Sequence, residues 1–208
     1  MKPRVAAALS AVALASVAGP AQAATFGLAV HVAQASDEGR PRPLVQEEPW
    51  IQAQIDAANA LFAPMGVDFR WHQAFEIAPV HAALETRKDR DALAALVEPR
   101  VIDVFVVGSL RDVDAGKSFR MGVCWQSTRD SSKRYVILAA TARPTVLAHE
   151  LGHYFGLGHD ARVDNLMSYN RGDGRIFLDG AQQATVKARA RLYESGPLLV
   201  LWPARVLP

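Results

Sequence analysis

The chain has 208 residues, a formal charge of +2 and one cysteine. One cysteine excludes an internal disulfide, so packing, with or without a metal, must hold the fold. Lys2 and Arg4 are the only charged residues before position 24, so the rest of the chain carries as many basic as acidic side chains. That balance lacks the basic stripe of a nucleic-acid binder, and none is expected as a partner.

In chain order, the first segment reads as a leader. Lys2 and Arg4 precede an apolar run from Val5 to Val17, and Ala21-Gln22-Ala23 is a small-residue cleavage site. The run is shorter than the ~20 residues a membrane-spanning helix needs. We therefore expect residues 1–23 to be a signal peptide. Residues 24–208 would then be a single domain, secreted or periplasmic, monomeric and free of the membrane after cleavage.

Thr25–Gln34 is β-rich and apolar and predicts a first strand, followed by a loop over residues 35–46. Glu47, Glu48 and Pro49 mark a helix start, with acids near the positive end of the dipole and proline where its missing N–H costs nothing. Ile51, Ile55, Ala58 and Phe62 give that helix one apolar face, and Pro64 and Gly66 end it. Val67–Ile77 alternates and predicts a second strand. Ala82–Val97 reads as a shorter helix carrying Leu84, Leu93, Leu96 and Val97, its charged run Arg87–Asp91 forming a solvated face. Val101–Val107 is a continuous apolar strand of the kind buried on both faces. After a polar loop over Gly108–Ser118, Phe119–Gln126 and Tyr135–Thr141 predict two more strands. Cys124 falls in the first of these as a small buried hydrophobe. Pro144 opens a helix. Leu178–Glu194 predicts a last one, with Val186, Ala190 and Tyr193 on its inner face, and the apolar tail Leu199–Trp202 should pack on the domain. His31, His72 and His81 have no ligand spacing and read as strand or loop histidines.

The chemistry is concentrated in His149-Glu150-Leu151-Gly152-His153-Tyr154-Phe155-Gly156-Leu157-Gly158-His159. On a helix, His149 and His153 lie one turn apart on the same face. Their nitrogens can then reach one ion at about 2.0–2.1 Å. Glu150 is rotated roughly 100° from His149, outside the ligand plane but near the ion's open position. Gly156 can take φ > 0, so the helix can stop there and the chain can return His159 to the same ion. Three protein ligands leave a fourth position for water, the arrangement of a catalytic zinc. The sequence contains no phosphate loop, no GxSxG elbow and no Cys/His pair beside a plausible nucleophile.

This extended motif, followed by Asn165-Leu166-Met167-Ser168-Tyr169, resembles the metzincin zinc peptidases and their methionine turn. The eight-residue step from His159 to Met167 is similar to the matrixins, Asp160 to the adamalysins, and Tyr169 to the astacins and serralysins. The specific motifs cover residues 149–169. The resemblance implies an α+β fold: a twisted, mostly parallel five-stranded sheet with an antiparallel edge strand, a zinc helix, the methionine turn and a C-terminal helix. It divides the domain into an upper part, 24–158, and a lower part, 159–208. It implies Zn2+ held by His149, His153 and His159, Glu150 as general base, Met167 as an apolar floor and Asp160 bracing the turn. Tyr169 would be either an oxyanion donor or a residue packed under the site. The implied partner is a peptide or protein, laid along an edge strand at Phe119–Gln126. Tyr169–Arg175 would wall the pocket, with Arg171 and Arg175 either biasing it towards acidic side chains or pointing to solvent. A zinc hydrolase acting on a non-protein substrate and an inactive zinc-binding module are the alternatives, and retention of Glu150 speaks against the second.

Overall fold

A computed structural model describes residues 23–36, 43–116 and 118–196. The expected leader, apart from Ala23, and the tail Leu199–Trp202 lie outside the described residues. Among the described residues, no helix is long and apolar enough to cross a membrane.

The elements in chain order are β1 (Ala24–Ala33), α1 (Glu48–Phe62), β2 (Val67–Ile77), β3 (Ala83–Leu84), α2 (Arg87–Ala92), β4 (Ile102–Val107), β5 (Ser109–Leu110), β6 (Gly122–Gln126), β7 (Arg134–Ala139), α3 (Val146–Tyr154) and α4 (Gly180–Ser195). Five strands form one sheet in the order β2-β1-β4-β7-β6. Its first three interfaces are parallel and the last, β6 with β7, is antiparallel. This is the expected α+β architecture, antiparallel edge included. β1 and β4 are buried along their whole length, as their largely apolar runs require, with His31 and Asp103 buried against each other. β2 is the other edge. Its pairing with β1 slips between Leu28 and Ala29, leaving His72 as an extra residue on β2.

Two apolar layers sandwich the sheet. One holds Phe26, Phe62, Phe69 and Phe155 with the buried faces of α1, α3 and α4. The other holds Leu84, Leu93, Phe105, Tyr135 and Ile137. Ile51, Ile55, Ala58 and Phe62 are the buried stripe of α1 as expected, joined by Gln54.

Two expectations need correction. Ala82–Val97 is not one helix. Thr86 and Asp89 form a capping box, so the α-helix starts at Arg87 and runs only to Ala92, and a short 3-10 turn, Leu93–Leu96, follows. Leu84 instead joins β3, paired with β5. Nor is Arg87–Asp91 wholly solvated: Arg90 and Asp91 are buried. The Arg90 guanidinium stacks 4.8 Å above Trp125, whose Nε1–H donates to Asp91 at 2.9 Å. The edge strand is also shorter than Phe119–Gln126. Phe119 and Arg120 pair with the preceding segment instead, where Arg120 N–H donates to the Leu110 carbonyl at 2.8 Å and Phe119 bridges Arg111, and β6 begins at Gly122.

Candidate metal centre

α3 lies across the sheet beside β6 and β7. No side chain of its own first turn caps it. Gln54 of α1 does so from a distance. Its Oε1 accepts Leu147 N–H at 3.1 Å, while its Nε2 donates to the Ala142 and Arg143 carbonyls at 3.2 and 2.9 Å. This residue was missed in the sequence. The available signal was a polar side chain, three residues after Ile51, inside an apolar helical stripe.

The other end of α3 closes at Gly156, whose φ is +92°. Leu157 N–H donates to the Gly152 carbonyl and Gly156 N–H to that of His153, both at 2.9 Å. This is a Schellman pair, which needs a left-handed residue at Gly156. The same turn presents the Leu157 carbonyl to His153 Nδ1–H at 2.8 Å. His149 Nδ1–H donates to the Leu166 carbonyl, also at 2.8 Å. With Nδ1 carrying the proton, Nε2 of each ring is a lone-pair acceptor.

Those acceptors converge. His153 Nε2 lies 3.2 Å from His149 Nε2 and 3.1 Å from His159 Nε2. Neutral rings so tautomerised have no hydrogen to share between the Nε2 of His149 and His153. A cation is what such lone pairs accommodate, and tetrahedral zinc at 2.0–2.1 Å from each nitrogen would set them about 3.3 Å apart. The donor set therefore fits zinc. Among the described residues, this is the only group of three His, Cys, Asp or Glu side chains so placed. Burial, aided by the charges of the neighbouring rings and Arg171, lowers the His149 imidazole to about 4. His153 is lowered too, chiefly by burial. Both rings are neutral at pH 7, as ligands must be.

The methionine turn holds this arrangement from below. Met167 is buried, and its sulfur occupies the space a side chain at 152 would need, so a Cβ there would collide with it. Asn165 accepts Met167 N–H at 2.9 Å and meets Gln182 of α4 at 2.8 Å. Gln182 belongs to the capping box of α4 with Asp179. Asp160 accepts Arg162 N–H at 2.8 Å, and Arg162 ties it to Asp179. Arg171 donates to the Asn165 and Leu166 carbonyls at 2.7 and 3.2 Å. Tyr169 is 71% exposed and its hydroxyl lies 2.8 Å from His159 Nε2, so it stands over the histidines rather than under them.

Glu150 is buried against the edge strand. A Cβ at Gly122 would come within 2.9 Å of its side chain, so that glycine makes the room. Burial pushes the Glu150 carboxyl up to about 8, opposed by the Cys124 backbone N–H and the Arg120 charge. The Cys124 thiol is pushed up to about 12 by burial and is not among the converging ligands. A cleft of about 400 Å³ opens beside His149, Glu150 and Tyr169, bounded by Met121 and Gly122 on the strand side. Arg120, Arg143 and Arg171 also line it, whereas the exposed Arg175 does not. His31 is far from solvent and bound to Asp103, and His72 and His81 stand outside the cluster.

No protein-family profile matches the chain. No curated protein sequence matches it either. Among solved structures, it is similar to metalloproteinase-II from Bacteroides fragilis, with a TM-score of 0.53 and 15% sequence identity. The match covers 82% of this chain and 55% of that one, so this chain spans about half of that protein's length. At this identity the likeness is one of fold.

Proposed function

We propose that the protein is a zinc-dependent endopeptidase, acting outside the cytoplasm after removal of residues 1–23. The observation that carries this is the convergence of three imidazole Nε2 atoms beside a buried carboxylate and an open cleft. A fold shared with a metalloproteinase supports it. His149, His153 and His159 would hold the ion, which when bound supplies a Lewis acid and a water of lowered pKa. Glu150, kept ionised when a cation beside it offsets the burial that raises its carboxyl, takes the proton of the attacking water and returns it to the departing amine. The Tyr169 hydroxyl, beside His159, donates a hydrogen bond to the oxyanion that forms at the scissile carbonyl. β6, as a sheet edge next to the cleft, offers main-chain groups to an extended peptide. The Leu166 and Leu157 carbonyls keep His149 and His153 in the ligating tautomer.

Elemental analysis of the purified protein should find about one zinc per chain, and a chelator should stop cleavage of a diverse peptide library. Full metal content after replacing all three histidines would defeat the assignment.

A further inference from the structure

The cleft beside Glu150 is lined by more cationic than anionic side chains. Arg120, Arg143 and Arg171 line it, against the carboxylates of Asp112 and Glu150. Asp112 is already engaged: its Oδ1 accepts Asp114 and Ala115 N–H at 3.0 and 3.2 Å. Its Oδ2 pairs with Arg120 Nε at 3.1 Å. Arg120 is thus neutralised locally, with Asp114 a further 3.7 Å from its other nitrogen. The remaining two cations are not. Arg171 bonds only to the Asn165 and Leu166 carbonyls, which leave its charge uncompensated. Arg143 has no side-chain partner among the described residues. Among the described residues, two guanidinium groups without a carboxylate partner therefore line one cleft, Arg143 just before α3 and Arg171 after Met167.

Resting on the peptidase assignment, we infer that this cleft binds a substrate carboxylate at the residue flanking the scissile bond, so that acidic peptides are preferred. A guanidinium pairs with a carboxylate in planar, two-point fashion, which a neutral amide of the same shape cannot match. A Glu or Asp side chain and a free peptide C-terminus share this chemistry. The side chain suits a peptide laid along β6, because such a chain continues past the cleft in both directions.

The test uses the zinc-loaded protein and matched peptides differing only in Glu, Gln or Lys at each position around the cut, each with a free or an amidated C-terminus. The Glu-to-Gln ratio of kcat/KM should be on the order of 10–100-fold at one flanking position, as expected for hydrogen bonds to a charged group. It should shrink as salt rises. Arg143→Glu should lower that ratio about tenfold, and Arg171→Met should lower it as well. The ratio is taken within each variant, so a general loss of activity cancels. Among the described residues Arg143 has no side-chain partner to lose, which keeps its variant informative if Arg171→Met folds poorly. A preference that survives amidation assigns the side chain, and one lost on amidation assigns the C-terminus. Cleavage with equal rates for Glu and Gln peptides overturns the inference and leaves the peptidase assignment standing. No cleavage of any peptide overturns both.

Discussion

Two histidine environments in this molecule look alike in burial and differ in everything that decides chemistry. His31, in the middle of β1, is 2% exposed and stacks between Phe75 and Phe105 at 4.8 and 4.4 Å. Its Nε2 meets Asp103 at 2.8 Å, and Glu98 N–H reaches the same oxygen at 3.0 Å. That ring has its partner and no access. His149 is nearly as buried, but its Nδ1 is tied to a carbonyl and its Nε2 faces two other rings at the mouth of a cleft. A buried imidazole becomes a ligand when its outward nitrogen is left as an acceptor with no donor to receive.

The contrast can be broken at either end. The largest effect belongs to Glu150→Ala: zinc content should stay near one per chain while peptide turnover falls about 10²–10⁴-fold. A rate within tenfold of the parent would remove Glu150 as the base. Tyr169→Phe should lower kcat by roughly 10²–10³, with kcat and kcat/KM dropping together. Unchanged kcat would make the 2.8 Å contact to His159 incidental. Zinc at a hundredfold excess over its Kd should stabilise the protein by about 2.7 kcal/mol in denaturant unfolding. The same gain should persist in Asp103→Ala and vanish in His153→Ala, which separates the two environments directly. Asp103→Ala itself should cost about 1–3 kcal/mol, because it strands a buried imidazole and the Glu98 N–H, while its zinc content stays that of the parent. Smallest is Gln54→Ala, expected to cost about 0.5–2 kcal/mol as a lost helix cap. A variant as stable as the parent would show that Leu147 N–H finds another acceptor.

The candidate ligands were legible because they sit within eleven residues, where helical periodicity and one turn glycine determine who meets whom. The sheet was legible for a related reason: β1, β4 and β7 are buried on both faces almost throughout and read as largely apolar runs. The supports were not. Gln54 caps a helix 93 residues away, and Asp103 reaches His31 across 72. No local spacing encodes such partners. Ala82–Val97 misled because Leu84, Leu93 and Leu96 fit a helical stripe, whereas Leu84 is buried by pairing with Leu110 on β5. The helix signal that prevailed there was Thr86 with Asp89, a cap inside the apparent helix. Arg90 and Asp91 look solvated in sequence because their covering ring, Trp125, arrives from β6.

The slipped register at His72 bears on how the molecule avoids its own kind. A sheet with two open margins invites stacking of copies, strand upon strand. β2 is the longer margin, with eleven residues, and the extra residue bends and twists it away from a flat template. Asp68, Arg70 and Glu76 add charge along the same stretch. β6, at five residues, is a short margin of the kind that limits such stacking. The fold thus blunts its longer margin against aggregation and keeps short the margin on which we propose that a peptide binds. Deleting His72 would straighten the long margin, and the expected outcome is loss of colloidal stability at high protein concentration rather than loss of the metal.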